Sequence, residues 1–321
     1  MKGYIAKRFL QLIPILIGIT FLSFSLMYLA GGDAVTATLE NQGVAVSQEI
    51  IDAKKHELGL DKPFIEQYGT WLVGLMTGDM GVSYVSDKEV FATFTSKLPA
   101  TIVLTIVSVL LTIVISVPLG ILAAVKQNRF TDYLIRVLSF IGNSLPNFFV
   151  ALLLILVFSV CLGWFPVVSS SIGKTGLASL SIRGTILPAF TLAIAMSSKY
   201  TRQIRATVLE ELNKPYVIGA RARGISERTI LIKHVLKSCM IMIVTLLALS
   251  IGDLLGGTAI VETIFQWDGV GKLAVDSITM RDYPLIQAYV VWMAIIYVMV
   301  NLVADLVYHR LDPRVRLGGE K

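Results

Sequence analysis

The residues best placed to do something chemical lie in one polar stretch, Glu210–Lys237, which reads EELNKPYVIGARARGISERTILIKHVLK between two apolar segments. Arg221, Arg223, Arg228, Lys233 and Lys237 make it basic. Planar guanidinium groups grip carboxylates in pairs of hydrogen bonds, so such a stretch is suited to holding an acidic partner. Gly224 interrupts an otherwise helical pattern. Ser226 has the residue type of a helix N-cap, with Glu227 and Arg228 opening the next turn. The expected local structure is a short helix, a glycine break and a second helix running on into the apolar segment. Three uses fit: anchoring on anionic lipid, standing as a solvated loop, or presenting a rigid knob to a cytosolic partner. The residues alone leave all three open.

A second set of polar residues sits inside apolar runs. Asn143, Ser144 and Asn147 cluster with Gly142 and Pro146, and Asp253 lies in another run beside the GxxxG pair Gly252 and Gly256. Polar groups are costly in lipid, so these should face protein or a water-filled cavity. The cluster is either pathway lining or a proline kink with its freed carbonyls satisfied. Asp253 either attracts a cation or the amine of a peptide, or packs and gates beside the glycines. None of His56, His234 and His309 falls at mid-membrane, and imidazole is a common transition-metal ligand, so coordination of a bare metal within the chain is not expected. The metal-ligand set is left unassigned. Cys161 and Cys239 fall at opposite membrane faces and cannot pair, and no zinc spacing occurs. There is no HExxH or GxSxG for hydrolysis and no GxxxxGK[ST] for a nucleotide, so the chain reads as no enzyme and as binding no cofactor itself.

These residues need elements to position them. Mean hydropathy is +0.74, with 55% hydrophobic and only 16% charged residues. A soluble domain carries about a quarter charged residues, and about 20 apolar residues span a bilayer core. The spacing predicts six spans: Phe9–Ala30, Leu98–Val125, Val137–Val160, Gly184–Ser198, Ser238–Val261 and Tyr283–Leu306. The fourth is short and is expected to continue through Lys199, Arg202 and Arg205, whose heads snorkel at the inner face. In 31–98, Gly59 and Pro63 mark a helix end. Tyr68, Trp71 and Leu72 form an apolar face expected to rest at the outer interface. Most of the 28 Lys and Arg fall in the segments placed inside, which puts both termini in the cytosol. That bias explains the net charge of +6 better than nucleic acid, for which no basic-aromatic module exists.

Several motifs carry a resemblance. Tyr216, Ala220, Arg221, Ala222, Gly224, Ser226, Glu227, Arg228 and His234 are similar to the "EAA" loop of bacterial ABC importer permeases of the dipeptide, oligopeptide and nickel branch. The strict Glu-Ala-Ala is Ile218, Gly219 and Ala220 here, and the terminal Leu-Pro is Leu236 and Lys237. Also similar are Gly32-Asp33, Leu98-Pro99-Ala100-Thr101, Ser116-Val117-Pro118-Leu119-Gly120 and Ser144-Leu145-Pro146-Asn147-Phe148. So are Val261–Phe265 with Gly269-Val270-Gly271, Arg281-Asp282-Tyr283-Pro284 and Leu311-Asp312-Pro313-Arg314. The resemblance covers nearly the whole chain.

It implies an all-α integral membrane protein of the type I importer permease fold in the inner membrane. Its parts are an N-terminal span (1–30), an extracytoplasmic segment (31–98), a five-span core with the loop 210–237 (99–310) and a cytoplasmic tail (311–321). It implies as partners a second homologous permease, two cytosolic ATPases carrying ATP and Mg, an extracytoplasmic binding protein and the bilayer. The loop, with Arg223 included, becomes the coupling element. The stretches 68–72 and 251–258 resemble nickel permeases most, so nickel or a nickel chelate is the expected substrate, with dipeptides or oligopeptides the alternative. A secondary transporter fits less well, since no internal repeat is visible.

Overall fold

A computed structural model describes residues 2–29, 48–169 and 176–311. The expectations for Gly32, Asp33, part of the 161–185 loop and the tail beyond Leu311 lie outside the described residues. So do the side chains of Asp253 and Gly256.

The chain is helical. Helix α1 (Lys2–Leu29) is followed by α2 (Gln48–Glu57), α3 (Phe64–Thr77) and the long α4 (Val90–Val125). Helices α5 (Phe130–Ser144) and α6 (Asn147–Leu154) follow, the latter continued by a π-helical turn to Cys161. Then come α7 (Ile182–Leu212), α8 (Pro215–Ala222), the single turn α9 (Glu227–Thr229) and a π segment (Ile230–Val235). The last helices are α10 (Leu236–Gly257), α11 (Ala259–Ile264), α12 (Val270–Thr279) and α13 (Tyr283–Leu311). Among the described residues, three helical stretches are long and apolar enough to cross a membrane: Leu10–Leu29, Val90–Val125 and Tyr283–Val303. A fourth is added if the bent pair Phe130–Ser144 and Asn147–Cys161 forms one span. Helix α7 has 31 residues, close to 46 Å at about 1.5 Å per residue, but carries Lys199, Arg202 and Arg205 along one end.

The expected third span is where structure and sequence differ most. One span over 137–160, either pathway-lining or kinked at proline, is the expectation; the structure has two helices bent by 103° at the break between them. Leu145, preceding proline, is extended (φ −82°, ψ 131°), and Pro146 contributes no N–H. Asn143 and Ser144 therefore end one helix and Asn147 begins another.

Helices α4 and α7 form the central pair. Their contact face on α4 is built of small and hydroxyl residues: Ser108, Thr112, Ser116, Gly120, Ala123 and Ala124 are all buried. The hydroxyls of Ser108 and Thr112 donate to the carbonyls of Leu104 and Ser108, at 2.7 Å each, so they are satisfied within their own helix. At Gly120 a Cβ would sit 2.8 Å from the Ile204 side chain and 3.0 Å from the Thr201 carbonyl oxygen. Close approach of the two backbones needs glycine there.

Two other parts add packing that the sequence reading lacks. Tyr68 and Trp71 pack on a neighbouring helix. Phe64 and Tyr68 pack edge-on against Phe21 and Phe24 of α1, Phe64 also against Tyr28, Trp71 lies tilted against Phe24, and the Tyr68 hydroxyl lies 3.1 Å from that of Thr20. The segment 262–284, read as a turn-rich outside piece, is a packed cap on the start of α4. Trp267 is fully buried and its Nε1 donates to the Ala100 carbonyl at 3.2 Å. Glu262, also fully buried, accepts from the Thr101 hydroxyl (2.8 Å) and from the Lys272 backbone N–H (2.9 Å). Gln in its place turns an amide N–H₂ toward one of these donors. Glu262→Gln should therefore cost about 1–3 kcal/mol, read as a lower melting temperature of the purified protein.

Candidate coupling site

Helix α7 ends at Leu212. Lys214 bonds back to Glu211 (2.5 Å) and the Tyr216 hydroxyl donates to Glu211 Oε1 (2.8 Å), which pins the chain as it turns. Pro215 opens α8 at the position where a missing N–H is harmless. Val217 and Ala220 are buried in one cluster with Tyr200, Ile204 and Val208 of α7 and Ile230 and Val235 of the π segment. The helix is thus held by one face. Ala220, part of the loop resemblance, is buried in this protein's own core.

The C-terminus of α8 closes as a Schellman motif. Gly224 N–H donates to the Arg221 carbonyl (2.9 Å) and Ile225 N–H to that of Ala220 (3.2 Å). The motif requires a left-handed residue, and Gly224 has φ +76°. Ser226 then caps the next turn, its hydroxyl oxygen accepting from the Thr229 N–H at 3.4 Å. The expected helix, glycine break and second helix are all present.

The charges are arranged differently from the expectation. Arg221, expected to grip an acidic partner, instead binds Glu227 of this chain: Nε to Oε1 at 2.7 Å and Nη2 to Oε2 at 3.2 Å. The guanidinium holds the Glu227 carboxyl below its ordinary value. Arg223 Nε donates to the Gly219 carbonyl at 3.3 Å. The pair is exposed and contributes little to stability. It does fix the angle between α8 and α9 across the glycine. The outward surface presents Tyr216, Ile218 (59% exposed), Ala222, Arg223 and Arg228. This is a short, one-side-anchored helix with an apolar and cationic outer face.

Of the polar candidates in apolar runs, Asn143 and Ser144 are exposed and Asn147 half-buried, all at the 103° break. The Ser144 hydroxyl donates to the Phe140 carbonyl at 2.8 Å. Gly252 lies on α10 against the ring of Tyr297 of α13, 3.4 Å from where its Cβ would be. Among the described residues no three His, Cys, Asp or Glu come together as a metal site. Cys161 is exposed, Cys239 is buried and both are free.

The sequence reading missed one buried pair. Asp132 is fully buried and accepts two hydrogen bonds of 2.7 Å from Arg205 Nε and Nη2, and one of 2.9 Å from the Asn128 N–H. Arg205 was expected to snorkel; it is instead held across α5. A signal existed: Asp132, Ile135, Ser139 and Gly142, the buried stripe of α5, follow helical spacing.

Residues 116–317 match the family model of the binding-protein-dependent transport system inner membrane component, and residues 1–105 match its N-terminal counterpart. The chain belongs to this family. It is 41% identical over 317 residues to the oligopeptide transport system permease protein AppB of Bacillus subtilis, covering 98% of this chain and 99% of that one. It is 36% identical over 316 residues, with the same coverage, to the glutathione transport system permease protein GsiC of Escherichia coli. Among solved structures it superposes on a chain of the inward-facing MetNI methionine ABC transporter at a TM-score of 0.53. That match has 16% identity and covers 66% of this chain and 93% of the other.

The permease is therefore a multi-pass protein of the bacterial inner membrane. It has an all-α importer permease fold in the dipeptide, oligopeptide and nickel branch. As the membrane component it is not itself an ATPase and works with other subunits of an ABC importer. The expectation of nickel is not carried by these relatives, whose names point to oligopeptides and glutathione. Short resemblances at 68–72 and 251–258 are outweighed by identity along the full length. Tyr68 and Trp71, moreover, serve to pack α3 on α1.

Proposed function

We propose that this permease moves short peptides inward across the membrane, powered by ATP on partner subunits. The observation that carries the reading is the full-length similarity to the oligopeptide permease. Glutathione, named for the second relative, is itself a tripeptide-like substrate, so both relatives favour an amide-bearing solute over a bare cation.

In this reading α8 docks in a groove on one of two cytosolic ATPases, which hold ATP and Mg, while a second homologous permease supplies the other docking helix. An extracytoplasmic protein delivers the peptide. With both termini in the cytosol, the loop 210–237 stands at the ATPase face. Closure of the ATPases pushes α8. Its anchoring through Val217 and Ala220 passes the motion to α7, and the Arg221–Glu227 pair keeps α8 and α9 moving as one body. Asn143, Ser144 and Asn147 at the helix break, and Asp253 on α10, are the proposed pathway residues. Exposed amides and hydroxyls at a break can replace water around a peptide backbone.

Deleting the chain should abolish uptake of a labelled oligopeptide and leave nickel uptake unchanged. Loss of nickel uptake with peptide uptake intact would overturn the substrate assignment and leave the importer fold in place. A smaller test concerns Ile218: Ile218→Glu, on the exposed face of α8, should leave the chain in the membrane but reduce copurification of the ATPase roughly 10-fold.

A further inference from the structure

A cleft of about 450 Å³ opens between α5 and α7, lined by Tyr133, Arg136, Val137, Phe140, Arg202 and Arg205. Three of its six side chains are arginines. Arg205 is occupied by Asp132 through Nε and Nη2, and Asp132 accepts a third bond from the Asn128 N–H. Arg136 lies with its guanidinium 5.6 Å from the Tyr133 ring centre. Among the described residues neither Arg136 nor Arg202 makes a hydrogen bond or ion pair, and both are exposed. Two forks of N–H donors thus face one cleft; Asp132 acts on Arg136 only at a distance, and no carboxylate hydrogen-bonds to either fork among the described residues.

The other wall is apolar. Val137 is 55% and Phe140 65% exposed, and Leu134, Leu138 and Ile141 continue the exposed apolar surface along α5. Cationic heads beside an exposed aliphatic and aromatic strip mark the boundary between headgroups and hydrocarbon.

We propose that this cleft is a binding site for an anionic phospholipid, with the phosphate between Arg136 and Arg202 and an acyl chain along Val137 and Phe140. A phosphate diester matches the two guanidinium forks, and the apolar wall matches a chain that a soluble phosphate lacks. The Asp132–Arg205 pair is a positioning device: it holds α5 against α7 at the register that brings the two free arginines together. The site concerns the membrane environment of the permease and does not depend on which solute is carried.

The test uses the importer complex purified in mild detergent, with phosphatidylglycerol retention measured by mass spectrometry of the intact assembly. In Arg136→Gln/Arg202→Gln, affinity for phosphatidylglycerol should fall roughly 10-fold or more, since each surface cation contributes on the order of a few-fold to ten-fold. Retention of phosphatidylethanolamine should not change, and excess inorganic phosphate should not displace the bound lipid. Equal retention in the wild type and the variant overturns the proposal. Displacement by inorganic phosphate overturns it in favour of a free-oxyanion site. Loss of the second permease subunit from the variant complex overturns it in favour of a subunit contact.

Discussion

Gly224→Val is expected to leave the permease in the membrane at its normal level and to remove most ATP-driven uptake. Gly224 sits at φ +76° between the two hydrogen bonds that close α8, and nothing lies within 4 Å of where its Cβ would be. The cost is therefore in the backbone and not in a clash with a neighbour. A β-branched residue in the left-handed region costs about 1–2 kcal/mol, which shifts a local equilibrium by a factor of roughly 5–30. The loop relaxes by leaving that conformation. It then breaks the Gly224–Arg221 and Ile225–Ala220 bonds and the geometry in which Arg221 meets Glu227. Insertion depends on the apolar helices and is untouched. Asn tolerates the left-handed region, so Gly224→Asn should keep most of the uptake. Valine and asparagine variants with equal uptake would show that the closed turn is not needed for coupling. ATPase activity that persists in the valine variant without transport would identify uncoupling directly.

The second large effect is expected at Asp132. Asp132→Ala leaves the Arg205 guanidinium, only 19% exposed, without the two bonds it makes in the wild type. Removing one partner of a buried pair costs about 3 kcal/mol at the lower end of the usual range. For a chain of this size the melting temperature should drop by roughly 5–10 °C. The pair lies one and a half turns before the residues that start the coupling loop, so the loop should loosen as well. The double variant Asp132→Ala/Arg205→Ala should recover part of the loss, because it removes the stranded charge along with its partner. Additive effects of the two single substitutions would mean that the two side chains do not act as a pair. Arg205→Lys, which keeps the charge but loses the two-pronged geometry, should fall between wild type and Asp132→Ala.

The coupling loop was legible because its shape follows local rules. Gly224 as a break and Ser226 as a cap each act within a few residues, and both are in place. The charges were less legible. Arg221 and Glu227 are six apart across a turn, a spacing that no helical rule pairs, and their contact exists only because Gly224 folds the chain back. Non-local partners were hidden for the same reason: Arg205 reaches Asp132 across 73 positions and Glu262 reaches Thr101 across 161. The proline rule foretold an interruption at Pro146 but not its angle. That angle depends on what packs beneath each half, as with Gly142 lying against Ser198 of α7. Nickel was favoured on a few residues whose packing roles could not be seen in the sequence.

The most direct measurement is peptide accumulation in sealed vesicles holding the complete importer. The binding protein should be on the outside and ATP on the face of loop 210–237. A labelled oligopeptide should accumulate against its gradient only when ATP, the binding protein and this permease are all present, and unlabelled peptide but not nickel should compete. Accumulation of nickel under those conditions, with no movement of peptide, would contradict the assignment.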